Sequence, residues 1–485
     1  MSAAATTVDQ AGTMAQKDQK EKLNATSVIS YCFGSAGANV SFYMINNYLM
    51  LFYTDVVGLA AAAISAIMLI ARIWDAANDP MMGIIEDRTK SKLGKFRPWL
   101  IVGPPFLAIF NILTFTVFPL TGATKAIVCG VCYIGAGMAY TVVQVAINGL
   151  VNRLCVEPEN KMKVISWAQI GNQILQTAVA AVLMPIILHF SAGDVADAHG
   201  YFMGTLIISV CTLPLMWLAA WKCREISVEN ETPEQADADA AKAAADAPKR
   251  SVMESLKALA KNDQLIASTL TVFLSCVGII GRYGVLSYYL IYVMGSYKLI
   301  SPIFMILSLA QMVGNVPLPW LTQKFGKIRW FLIATFAIAA CLVAIFFLPA
   351  GATIPLIVLS ALQGFFSACG SISYSFTCDA VEYGDWKMGV RDDGLAFSIM
   401  SFGVKLASAI TGAVAAPLLV AVGYVANQAQ AATTQVAING IVNILPAVLM
   451  VISALPMIFK YRLDEKKMTQ ITEELQERRS AAANA

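Results

Sequence analysis

Residues 72–83 read Arg72-Ile-Trp-Asp-Ala-Ala-Asn-Asp-Pro-Met-Met-Gly83. The stretch lies inside the apolar run 58–84, long enough to cross a bilayer as a helix. Arg72, Asp75, Asn78 and Asp79 recur at spacings of three and four, which puts them on one helical face. A charge at mid-bilayer costs about 2.5–3.5 kcal/mol on insertion scales, so two acids and a base in one apolar helix require a purpose. Two carboxylates and an amide carbonyl converging within one turn offer hard oxygen ligands to a small cation. Arg72 either neutralises a carboxylate when that site is empty or forms a purely structural pair with Asp75. A second acid on the same face exceeds what one Arg needs, which favours binding.

Working outward, the 485-residue chain is 58% hydrophobic and only 13% charged, against about a quarter charged in soluble domains. The net charge of +3 is small, and no basic, aromatic-interleaved surface suggests nucleic acid. Apolar runs predict about twelve spans, at 27–53, 58–84, 99–119, 124–151, 162–190 and 201–222, then 264–293, 300–322, 329–348, 353–378, 394–422 and 436–460. No cleavable signal precedes the first, so that span is expected to direct insertion itself. Between the halves, Glu225 to Arg250 is rich in Ala, Asp and Glu and reads as a flexible linker. The expected organisation is an N-terminal tail 1–26, a six-helix half 27–222, a linker 223–263, a second six-helix half 264–460 and a tail 461–485.

Lys and Arg crowd alternate loops. Arg88, Lys90, Lys92, Lys95 and Arg97 follow span two, and Lys324, Lys327 and Arg329 follow span eight. By the positive-inside rule both termini and the linker are expected on the cytoplasmic side. Leu93-Gly94-Lys95-Phe96-Arg97 is echoed by Phe325-Gly326-Lys327-Ile328-Arg329 at the matching place in the second half. Two related six-helix halves with a path between them form the major facilitator plan, an all-α membrane fold.

Other polar groups fall inside the spans. Lys405 in span eleven either reaches across a cavity to the carboxylates, binds a substrate hydroxyl, or snorkels to the interface. Arg282 in span seven has no evident local partner. Asp379 and Glu382, at the end of span ten, are expected to close a gate with Arg153, Lys387 or Arg391. Asn39, Tyr43 and Asn46 line one face of span one. Thr141, Gln144 and Asn148 fall in span four, and Gln169, Asn172, Gln173 and Gln176 in span five. Such amide stripes suit a ligand with many hydroxyls, or simply hydrogen-bond helices together. Cys129 and Cys132 form a C-x-x-C within an apolar helix, without the second pair or His that metal or redox chemistry needs.

The span-two stretch, followed by Asp87-Arg88-Thr89 and Gly94-Lys95-Phe96-Arg97-Pro98-Trp99, resembles the glycoside–pentoside–hexuronide:cation symporters. Asp379-Ala-Val-Glu-Tyr-Gly-Asp-Trp-Lys387 and Lys405 match that family's second half. The resemblance covers nearly the whole chain. It implies a cation site at Asp75, Asn78, Asp79 and Thr141, with Asp75 and Asp79 as metal ligands if the ion is Na⁺. The family's melibiose-type carriers have an Asp in span one, an Asp and a Trp in span four and an Arg in span five. Asn39, Gln144, Asn148 and Gln169 align there, so a charged galactoside clamp has become amides.

The expected function is therefore a symporter of the inner membrane that couples Na⁺ or H⁺ to uptake of a sugar or glycoside. It needs no cofactor beyond the coupling ion and no obligate protein partner. A drug or amphiphile carrier would favour an apolar cavity, which the amide stripes oppose. An enzyme or receptor is the other class. No nucleophile–base or zinc motif is present, and His189 and His199 fall at the ends of spans five and six, away from the acids.

Overall fold

The computed structural model describes residues 25–89, 91, 93–154, 158–223, 259, 261–389 and 393–483. Among these, twelve helices are long and apolar enough to cross a membrane. Spans one to six are Ala25–Val56, Ala61–Glu86, Arg97–Thr114, Gly122–Val151, Asn160–Phe190 and Ala198–Lys222. Spans seven to twelve are Asp263–Val293, Tyr297–Asn315, Lys327–Phe346, Thr353–Met388, Gly394–Ala421 and Ala432–Phe459. The stretch from Glu225 to Arg250 lies outside the described residues.

Two departures from the sequence reading have clear causes. Span eight stops at Asn315 rather than near 322, and a separate short helix, Leu318–Phe325, follows. Pro317 and Pro319 lack the N–H groups that would continue the ladder. The segment after 461, expected as a tail, contains a helix, Glu465–Ala483, packed against the end of span ten. There Trp386 Nε1 donates to Glu474 Oε2 at 2.5 Å and Arg478 Nη1 donates to the Trp386 carbonyl at 3.0 Å. The hydrogen bond from Trp386, with another from Gln470, holds the Glu474 carboxyl below its ordinary range. Docking by this contact is therefore complete above the usual carboxylate pKa and weakens as pH falls through the lowered value.

The internal repeat extends to the packing. Span one packs on five and six as span seven packs on eleven and twelve. The pairings two–four, three–four and three–six recur as eight–ten, nine–ten and nine–twelve. Spans one and seven each end in a π-turn, Phe52–Val56 and Tyr289–Val293, and Gly94 and Gly326 hold the basic turns at φ 104° and 83°. A side chain strains this left-handed conformation, and glycine adopts it freely.

The halves meet where span two packs on eleven, five on eight and one on seven. Toward the ends of spans one and seven a single hydrophobic core draws on both halves, including Tyr48, Phe52 and Tyr201 with Tyr288, Leu290 and Ile303. Toward the basic turns the core divides. Phe96, Leu150 and Met216 belong to one cluster, and Phe331, Phe376 and Tyr461 to another. The molecule is thus closed at the end bearing Asp55 and separated into halves at the other.

Spans eight and ten touch through backbone. A Cβ on Gly314 would stand 2.3 Å from the Phe365 carbonyl, and one on Gly364 would stand 2.6 Å from the Leu307 carbonyl. Close backbone approach of this kind is how membrane helices gain packing contact. Gly314→Ala is expected to force the helices apart and lower stability by about 1–3 kcal/mol. The thermal midpoint of the purified variant checks this, and an unchanged midpoint would count against the contact.

Candidate cation site and central cavity

Asp75 and Asp79, four residues apart on span two, face Gly137 and Thr141, four apart on span four. The absence of a side chain at Gly137 admits the first carboxylate, since a Cβ there would lie 2.9 Å from Asp75 Oδ1. One turn on, Thr141 Oγ1 donates to Asp79 Oδ1 at 3.0 Å. Asn78 is buried beside them with its Nδ2 unpartnered. All four residues expected at the cation site are on the facing spans two and four, and Thr141 touches Asp79 directly.

Both acids carry a basic partner. Arg72 Nη1 lies 3.4 Å from Asp75 Oδ2, its Nη2 donates to Asn46 Oδ1 at 3.3 Å, and its guanidinium stands 5.4 Å from the centre of the Phe42 ring. Lys405, from the opposite half, pairs with Asp79 Oδ2. Of the three readings left open for Lys405, the structure shows the reach to the carboxylate. A cation bound through Asp79 Oδ2 would compete with this ammonium. Thr141→Ala removes one of the oxygen ligands expected at the cation site. It is expected to weaken apparent cation affinity roughly tenfold, with Thr141→Ser near wild type, as read from cation titrations of uptake.

A cavity of about 220 Å³ lies between the halves, walled by spans one and five on one side and seven, eight and eleven on the other. Tyr43 lines it, as do the amides Asn46, Asn47, Gln173, Gln176 and Gln311. Gln173 Nε2 crosses to the Ser308 carbonyl at 3.1 Å. The other expected substrate residues do not line this cavity. Asn39 is engaged by the Ser35 carbonyl and the Tyr140 hydroxyl, at 2.9 and 3.3 Å. Asn172 Nδ2 donates to Ser35 Oγ at 3.3 Å, Gln144 Nε2 to Asn148 Oδ1 at 3.4 Å, and Gln169 is exposed. Gln311 and Ser408 went unremarked in the sequence, although Ser308 and Gln311 are a polar pair at helical spacing.

The closed end is built on Asp55, at the last turn of span one. Its carboxylate accepts from the Tyr292 and Tyr424 hydroxyls, each at 2.5 Å, and from Thr54 Oγ1 at 2.7 Å. Thr54 also bonds the Tyr288 hydroxyl at 2.7 Å. Asn427 Nδ2 donates to the Asp55 carbonyl at 2.5 Å from a left-handed backbone, φ 58°, a conformation that Asn tolerates better than most residues. One residue of the first half therefore gathers two elements of the second, span seven and the connection into span twelve.

At the other end the described residues pair differently from the gate expected there. Asp379 pairs with Lys327 of the basic turn, at 2.8 Å, and not with Lys387. Lys387 pairs with Asp263 at 3.4 Å, and Glu382 lines an open crevice beside the C-terminal helix. Among the described residues these contacts all lie within the second half. The side chain of Arg153 and the whole of Arg391 lie outside the described residues.

Residues 30–465 match the MFS/sugar transport protein family. The chain belongs to this family. It is 30% identical to an isoprimeverose transporter of Lactiplantibacillus pentosus, over 94% of this chain and 92% of that one. A glucuronide carrier protein homolog of Escherichia coli K12 is 26% identical over 95% and 97% of the two chains. Among solved structures, a D-xylose-proton symporter superposes with a TM-score of 0.64 at 15% identity, covering 91% of this chain and 98% of that one. A bacterial homolog of the lysosomal transporter Spinster, inward-facing and unoccupied, gives 0.63 at 11% identity, with 93% and 99% covered. This member of the MFS/sugar transport family is a multi-pass membrane protein and a secondary transporter of a small molecule, not an enzyme.

Proposed function

We propose that this transporter couples inward movement of Na⁺ or H⁺ to uptake of a sugar or glycoside across the inner membrane. The carrying observation is that Asp79, opposed by Thr141 in its own half, is bound by Lys405 of the other. Cation binding and contact between the halves then compete for one carboxylate. The excess of Lys and Arg in alternate loops supports a cytoplasmic position for both termini. On that reading the Asp55 end faces outward and the separated end opens to the cytoplasm.

The cycle follows from charge. When the outer end is open, a cation occupies Asp75, Asn78, Asp79 and Thr141, and the sugar fills the cavity against Asn46, Gln173, Gln176 and Gln311. In the closed-outside form Lys405 takes Asp79, which favours cation release. Coupling requires that only the empty and doubly loaded forms interconvert. The isoprimeverose and glucuronide carriers among its relatives and the amide-rich cavity favour a polyhydroxylated ligand of glycoside type. Na⁺, H⁺ and lipid are the other partners of this reading.

Purified protein is to be screened by thermal shift against glycosides, pentosides and uronates, with and without Na⁺. A ligand whose shift grows with Na⁺ identifies both partners by linkage. The ligand found should then accumulate unchanged in proteoliposomes driven by a cation gradient. Accumulation that ignores every imposed Na⁺ and H⁺ gradient rules out symport.

A further inference from the structure

Inside the spans, Arg72 has Asp75 and Lys405 has Asp79. Arg282, in span seven, is 1% exposed, and its Nε, Nη1 and Nη2 all lack a hydrogen-bond partner. A guanidinium carries five fixed N–H donors and keeps its charge in proteins. Buried charges are normally paired, so this one calls for a negative group that the fold does not supply.

The surroundings indicate what that group is. Arg282 borders a cavity of about 90 Å³ between spans seven, eleven and twelve. Its walls are apolar, with residues such as Val285, Val414, Leu418 and Leu449, and among the described residues Thr411 is the only other polar side chain in them. Thr411 Oγ1 already donates to the Ala407 and Ser408 carbonyls, at 2.9 and 3.1 Å. Among the described residues no carboxylate lines the space. Since about 10–15 Å³ of such volume holds one water, the cavity admits a halide with several waters, and its apolar walls offer no partners for the hydroxyls of a sugar acid. A lipid phosphate stands at the bilayer surface, whereas Arg282 lies about 16 Å of helix short of Val293. Gly281, Thr411 and Ala415 also wall a smaller cavity that reaches Asn46 and Arg72, so the space adjoins the centre of the molecule.

We propose that Arg282 binds a small monovalent anion of the chloride class in this cavity, separate from the cation and sugar sites. The ion neutralises the guanidinium and joins span seven to spans eleven and twelve.

The test is the thermal midpoint of the full-length protein in detergent, titrated with chloride against gluconate at constant sodium and ionic strength. The midpoint should rise saturably with chloride and with bromide. Arg282→Gln should lose at least tenfold in apparent anion affinity, while Arg282→Lys keeps a weaker response. Absence of a saturable rise in the wild type, or an equal rise in Arg282→Gln, overturns the site. If the Gln variant does not fold, bromide-soaked crystals of the wild type decide. An anomalous peak beside Arg282 supports the proposal, and peaks only elsewhere, or none, overturn it. None of these readouts depends on transport, so their failure is distinct from failure of the symport reading.

Discussion

Asp79→Asn is expected to yield a folded protein that no longer accumulates substrate against its gradient. The variant keeps the Thr141 contact through its amide oxygen but loses the charge that holds a cation. A hydrogen bond or ion contact to a charged group is worth about 1.5–3 kcal/mol, and the upper end corresponds to roughly a hundredfold in apparent cation affinity. Folding should suffer far less. A fully buried pair that loses one partner destabilises by about 3–5 kcal/mol, but Asp79 and Lys405 are 32% and 48% exposed. Solvent therefore reaches both groups, and about 1 kcal/mol or less is the appropriate scale. Uptake into proteoliposomes, with and without an imposed Na⁺ or H⁺ gradient, separates the two effects. Cation stimulation equal to wild type in a monodisperse Asp79→Asn preparation contradicts the site. Lys405→Ala makes the complementary test: removing the competing ammonium should raise cation affinity and slow release.

How much of this is visible in sequence depends on the range of the interaction. The twelve spans need only local hydrophobicity, and the face carrying Asp75, Asn78 and Asp79 needs only helical spacing. Lys405 was a candidate partner because a lone ammonium in a span has few places to go. That Asp379 takes Lys327 is not legible along span ten, because the choice among nearby cations depends on which loops fold together. Lys327, at the head of the neighbouring span nine, reaches Asp379, and spacing along span ten carries no trace of that. Tyr288, Tyr292 and Tyr424 resemble interfacial aromatics in sequence. Their convergence on Asp55 appears only when the two halves are docked. Likewise the cavity takes Tyr43 but not Asn39 from the same stripe, because Asn39 turns to the Ser35 carbonyl and Tyr140.

The Asp55 cluster leads to the second large effect. Its carboxylate receives hydroxyls from Tyr292, on span seven, and Tyr424, on the connection into span twelve. Beside it Tyr424 packs edge to face on Tyr288 and Tyr292, at 5.3 and 5.2 Å between centroids. The flanking ion pair Lys298–Asp194 is highly exposed, at 73% and 88%, and contributes little by comparison. Asp55→Ala removes the two charge-assisted bonds that cross between the halves and leaves the phenols only each other and the Asn427 N–H, a change of about 3 kcal/mol at the lower bound for each bond. Outward opening must break these contacts, so the loss falls on the closed-outside form alone. A bias of that size moves the equilibrium between openings by roughly a hundredfold. With the ten native cysteines replaced, a single Ser408→Cys in the cavity wall reports the shift. An impermeant maleimide added outside should label it at least tenfold faster in Asp55→Ala than in the Asp55 parent. Tyr292→Phe with Tyr424→Phe should approach the same rate, because those hydroxyls are what Asp55 holds. Equal labelling in all three proteins would mean that the apolar core around Phe52 and Tyr201 closes the outer end without the carboxylate.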